Sequence, residues 1–92
     1  MKVKKFTVQA CCGRISIIFK TDQPISKHHL VKLVSFGFKE HSHFTQAGIL
    51  YVDNSDFIIT GPIGSDRLQV KCKIADCNQK TNDLEILLQQ LG

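Results

Sequence analysis

The segment RLQVKCKI, residues 67–74, restricts the fold of this chain more than any other stretch. On an extended backbone successive side chains point to opposite faces, so Leu68, Val70, Cys72 and Ile74 share one side and Arg67, Gln69, Lys71 and Lys73 the other. Such a strand needs a sheet with one face packed and one in water. That is the antiparallel arrangement, since buried parallel strands read as unbroken apolar runs.

Two earlier segments carry the same period. In residues 4–10, Phe6, Val8 and Ala10 face inward and Lys5, Thr7 and Gln9 outward; in RISIIFK, residues 14–20, Ile15, Ile17 and Phe19 face inward and Arg14, Ser16 and Lys20 outward. The intervening CCG reads as a three-residue hairpin loop, with Gly13 free to take a left-handed conformation and Cys11 and Cys12 as loop residues. Pro24 cannot continue a ladder, and Ser26 is a good N-cap. Leu30, Leu33 and Val34 then keep helical spacing, which predicts a helix from about Lys27 to Phe36, with Gly37 as the left-handed stop and Phe38 folded back on Leu33.

KEHSHF, ILYVD and DFIIT read as three short strands, with turns at TQAG and DNSD and a longer turn at GPIGSD. Near the C-terminus Thr81 or Asn82 caps a last helix, Asp83 and Glu85 suit its positive end, and Leu84, Leu87, Leu88 and Leu91 form the stripe that docks it. Ile86 points away, either as a lone exposed apolar residue or as a contact point for a partner. The expected fold is α+β: an antiparallel sheet of five to six strands in the order ββαβββ(β)α, with two helices on one face and the other face open.

The 92 residues suffice for one domain, residues 1–92, and 42% apolar content with 22% charged is ordinary for a chain that folds alone. No apolar run approaches the ~20 residues that span a bilayer, and MKVKKFTVQ alternates where a signal peptide has an apolar core, so a cytoplasmic location is expected, without membrane association. There the four cysteines are expected to be reduced. Adjacent Cys11 and Cys12, with Cys72 and Cys77 five apart, match no zinc spacing.

All four histidines lie between His28 and His43. His28 and His29 stand about 100° apart around a helix, not at the separation of four that a helical metal site uses. His41 and His43 share a strand face but need further ligands, so they read as solvent-exposed or phosphate-neighbouring side chains. Asp22, Asp53, Asp56, Asp66 and Asp76 fall in turns or at strand ends, where Asp is favoured by the backbone, although Asp53 and Asp56 together leave room for a loop function. GPIG, residues 61–64, imitates the GxxG loop of KH domains, but here it joins strands and is not basic. No nucleophile, base and acid are arranged as a catalytic set, so no enzyme, cofactor or metal is expected.

Charge distribution is what remains. The net charge is +4, with twelve Lys and Arg against eight Asp and Glu. On the expected open side Lys5, Thr7, Gln9, Arg14, Ser16, Lys20, Arg67, Gln69, Lys71 and Lys73 include no acid. Lys and Arg neutralise phosphates, and Gln, Ser and Thr position on backbone or base edges. Solvated strands carry the same residues, with lysines guarding edges, so a polar surface without a ligand is the competing reading. With Phe6 and Phe19 inward, the face has no aromatic for stacking, and duplex DNA is the expected partner, held by Lys5, Arg14, Lys20, Arg67, Gln69, Lys71 and Lys73. A protein-interaction or assembly module, working through a sheet edge, Ile86 or the GPIGSD loop, is the alternative.

From Phe6 to Asp53 the elements Phe6-x-Val8, Gly13 with Ile15 and Ile17, HHL, GF and GILYVD resemble the double-wing domain of the MotA family of phage middle-promoter activators: a hairpin, a helix opening on paired histidines, a glycine stop and a second hairpin. The resemblance covers about half the chain. It implies duplex DNA binding through the sheet and its hairpins, with Lys5, Arg14, Lys20, Lys71 and Lys73 as contacts. The family's separate polymerase-contacting N-terminal domain has no counterpart here, so the expectation is a stand-alone DNA-binding or phage-type regulatory module.

Overall fold

A computed structural model describes residues 2–11, 14–74 and 78–91, with the side chains at positions 7–11, 14 and 78 outside the description. The strands are β1 (Val3–Cys11), β2 (Arg14–Thr21), β3 (Lys39–Glu40), β4 (Ile49–Asp53), β5 (Phe57–Pro62) and β6 (Arg67–Cys72). The helices are α1 (Lys27–Ser35), α2 (Ser42–Gln46) and α3 (Asn78–Gln89). All strand pairs are antiparallel, in the spatial order β1-β2-β6-β5-β4-β3. The α+β class and the antiparallel sheet are therefore as the alternation implies, with one helix more than expected: α2 packs beside β4 and covers that end of the face expected to be open.

Alternation sorts the strands. Ile17 and Phe19 of β2, Leu50 and Val52 of β4, Phe57 and Ile59 of β5, and Leu68, Val70 and Cys72 of β6 are buried on one face. They meet Leu30 and Leu33 of α1 and Leu84 and Leu88 of α3 in a single core. Fully burying each such side chain contributes roughly 1.5–3 kcal/mol. α1 lies over the β3–β4 side and α3 over β1.

The ends of α1 follow the sequence closely. The Ser26 N–H donates to His29 Nδ1 at 3.0 Å, so a histidine occupies the place that Glu or Gln takes in a capping box. At the other end Gly37 has φ +103°, the Gly37 N–H reaches the Val34 carbonyl and the Phe38 N–H the Leu33 carbonyl, and Phe38 is buried. This is a Schellman stop.

Four expectations change. First, residues 39–44 do not form one strand: pairing stops at Glu40, and Ser42–Gln46 turns into α2, so His43 shares no strand face with His41. The turn brings the Phe44 ring onto Tyr51, centroids 4.4 Å apart and nearly parallel, a contact a continued edge strand would not make. Second, α3 begins at Asn78, which puts Thr81 inside the helix and buried rather than at its cap. The extra turn lets Lys80 Nζ reach Asp56 Oδ2 at 3.2 Å. Third, pairing of Cys11 with Arg14 shortens the hairpin loop to positions 12 and 13, which lie outside the described residues. Fourth, Cys72 is disulfide-bonded to a sulfur outside the described side chains. The expectation of four free thiols rested on compartment alone, and spacing does not reveal compartment. Among the described residues no helix is long and apolar enough to cross a membrane.

Candidate nucleic-acid interface

The open face is built from the alternate residues of each strand. Cross-strand partners share a face, so the registers define its rows. One row runs Lys4, Lys20, Arg67, and two steps along lie Ser16, Lys71, Ile58 and Asp53. Between them lie Ile18, Gln69, Thr60 and Tyr51.

The β1 register carries the main correction. Lys5 pairs with Phe19, Thr7 pairs with Ile18, and Phe6 is the additional residue of a bulge. The bulge reverses the alternation ahead of it. Lys5 therefore lies on the helix-covered face, its Nζ 3.9 Å from Glu85 of α3, and is not part of the open surface. Phe6, expected inward, is 58% exposed and lies under the Arg67 guanidinium, whose Cζ is 5.2 Å from the ring centroid. The premise that this face lacks an aromatic is overturned.

The remaining expected contacts divide. Lys20, Arg67 and Lys71 are exposed on the open face, and no carboxylate among the described residues pairs with them. Lys4, absent from the sequence-derived set, joins them on the same terms. The bulge is what moves it there, so its even spacing from Phe6 in the sequence concealed it. Gln69 is half-buried, and its Nε2 donates to Ser16 Oγ at 3.2 Å. Thr7, Gln9 and Arg14 lie outside the described side chains, although the register puts Arg14 opposite Cys11 at the far end of the hairpin.

Lys73 is engaged. Its Nζ donates to Asp53 Oδ2 at 2.8 Å, while Asp53 Oδ1 lies 2.8 Å from His41 Nε2. Asp53 is the last residue of β4, a strand end as expected, and it shares the row of Ile58 and Lys71, so a carboxylate does stand on the open face, at its β4 end. Hydrogen bonds from Lys73 and then His41, with their charges, hold this carboxyl below the usual carboxylate range. The His41 ring also meets the edge of Tyr51 at 4.8 Å. A His and Asp pair is half of a nucleophile-activating arrangement, and no hydroxyl or thiol among the described residues is hydrogen-bonded to His41 to complete it. Among the described residues no three His, Cys, Asp or Glu side chains converge as a metal site.

Between Phe6 and Tyr51 the sheet is hollowed. A shallow depression of about 310 Å³ is lined by Ile18, Ile49, Thr60 and Pro62, with Arg67 and Gln69 at its rim. The face is thus cationic at its β1–β2–β6 end, apolar at its centre and charge-paired at its β4 end. No family model, curated protein or solved structure matches the chain.

Proposed function

We propose that this chain is a non-enzymatic nucleic-acid-binding domain that holds phosphates against its open sheet face. One observation carries the reading: Lys4, Lys20 and Arg67 stand directly beside one another on three adjacent strands, with Lys71 four residues further along β6 and no pairing carboxylate among the described residues. Like charges opposite one another destabilise a sheet unless a counter-charge offsets them. Here sign does alternate at the far end, where Asp53 sits between Lys73 and His41, but not in this row. A polyanion laid across the row offsets the repulsion and releases its own counterions. A regulatory role of the kind the double-wing resemblance implies would use the same face.

Fluorescence anisotropy of labelled oligonucleotides tests this over a salt series. Affinity is expected to fall steeply with salt and to fall further in the double variant Lys20→Glu/Lys71→Glu. Binding indifferent to salt, or equal in the variant, refutes the proposal.

A second reading has its own observation. Val31 (66% exposed), Val34, Phe36 and Ile86 (60%) are apolar residues left in solvent on the helical side. Where such residues form one patch they mark contact with another protein, whereas single ones are ordinary on any surface. A defined oligomer lost on Val31→Lys or Ile86→Lys is the result that favours this reading.

A further inference from the structure

We infer that the nucleic acid this face accepts is single-stranded, with one base stacked on Phe6 and the next seated in the depression between Ile18, Ile49 and Pro62. The inference rests on the nucleic-acid reading above and adds the form of the ligand.

Three features separate a single strand from a duplex. The first is Phe6. A large aromatic left more than half exposed on a cationic row finds little in a duplex, whose base faces are stacked on one another, so that the ring meets only a thymine methyl or must wedge between base steps at the cost of unstacking them. An unpaired base has a free face, and stacking on an aromatic side chain is the usual way a protein takes it. The Arg67 guanidinium over the ring fixes the platform in advance and puts a phosphate-binding charge beside it.

The second feature is the depression. Its walls are mainly aliphatic, and its polar rim holds Gln69, whose Nε2 is engaged by Ser16 while its Oε1 has no partner among the described residues. A flat ring with polar edges suits such a site, whereas a phosphate backbone leaves it empty. The row continues across Thr60 to Tyr51, on which Phe44 is stacked and 42% exposed. Adjacent strands lie about 4.8 Å apart, so Phe6 on β1 and Tyr51 on β4 are separated by roughly 19 Å, a track for a few extended nucleotides.

The third feature is breadth. The major groove of a duplex, about 12 Å wide, admits a helix or a two-stranded ribbon, and six strands spanning roughly 24 Å do not enter it. The β1–β2 hairpin alone is narrow enough. A duplex ligand therefore engages the hairpin tip and leaves Phe6 and the depression unused.

The test is equilibrium anisotropy with labelled oligothymidylate and oligouridylate of about twelve nucleotides and a mixed-sequence duplex of the same length, at salt from roughly 50 to 200 mM. The expected result is that a single strand binds at least about tenfold more tightly than the duplex. With four phosphate contacts at about −0.7 each, the log–log salt slope is about −2.8, or about 50-fold over that range. Phe6→Ala is expected to weaken single-strand binding by about fivefold or more and to leave any duplex binding unchanged, with Phe6→Tyr restoring it. Phe6→Leu, which keeps apolar bulk without a stacking face, should weaken binding as alanine does, so a fold defect in one variant is recognised. Tighter binding of the duplex, or single-strand binding untouched by Phe6→Ala, overturns the inference and leaves the phosphate-binding face standing. Failure of every probe at the lowest salt overturns the nucleic-acid reading itself.

Discussion

Gly61 joins the core to the open face, and Gly61→Ala is the most informative single change in the fold. It is buried in β5 opposite Leu50. A Cβ added there would lie 2.8 Å from the Arg67 carbonyl oxygen and 3.1 Å from both Ile25 Cδ1 and Leu68 Cδ2. The two methyl groups end rotatable side chains and can give way. The carbonyl cannot, because β6 is held between β2 and β5. Overpacking of this kind costs about 1–3 kcal/mol. Replacing glycine also restricts the unfolded chain, which returns about 0.4–1 kcal/mol. A net loss of about 1–2 kcal/mol is expected, or roughly 5–15 °C in Tm for a domain of this size. Urea unfolding followed by circular dichroism, with the m-value unchanged, measures it. Gly48→Ala is the control: φ is +82° and no atom lies within 4 Å of the added Cβ, so it carries backbone strain alone. A Gly61→Ala protein as stable as the parent would refute the close β5–β6 approach that positions Arg67 on the open face.

Two further predictions concern titration. His29 is buried, and burial first, then His28 and Lys32, pushes its pKa below the ordinary 6.5. The unfolded chain therefore takes up the proton first, and the stability His29 contributes is complete above pH 6.5 and declines as pH falls below it. His29→Gln keeps an acceptor for the Ser26 N–H and should flatten that decline in denaturation series between about pH 7.5 and 5.5; an unchanged slope contradicts the lowered pKa of His29. Asp53, whose folded pKa is depressed, contributes stability present above its ordinary 3.8 and lost as pH falls further. Asp53→Asn should remove that acid limb at a neutral-pH cost of about 1 kcal/mol or less, because the pair is partly exposed. It also frees Lys73 and should tighten oligonucleotide binding, so weaker binding would show that the carboxylate serves the ligand.

Elements fixed by neighbours in sequence were legible in the chain itself. The α1 stop at Gly37 and Phe38, and the two faces of β6, follow from spacing alone. From Thr7 to Ala10 the β1 register follows the local alternation, but at Lys5 and Phe6 it does not, because the bulge at Phe6 exists only in the pairing of β1 with β2. That one shift exchanged Lys5 for Lys4 and brought an aromatic onto the open face. α2 was hidden for a similar reason: EHSHF shows no partner for Phe44 until β4 places Tyr51 beneath it. Asp53 reads correctly in the sequence as a strand end, but its meeting with Lys73 on the open face depends on the pairing of β4, β5 and β6. In each case a contact distant in sequence decided what local preference left open.

The central claim is that ligand lies on the open sheet face and not on the helices. Titrating an isotopically labelled sample with an oligonucleotide while following backbone amide resonances tests it residue by residue. The account predicts shifts concentrated at Lys4, Phe6, Ile18, Lys20, Thr60, Arg67 and Gln69. Shifts concentrated instead at Val31, Val34, Phe36 and Ile86, with the sheet unmoved, would contradict it.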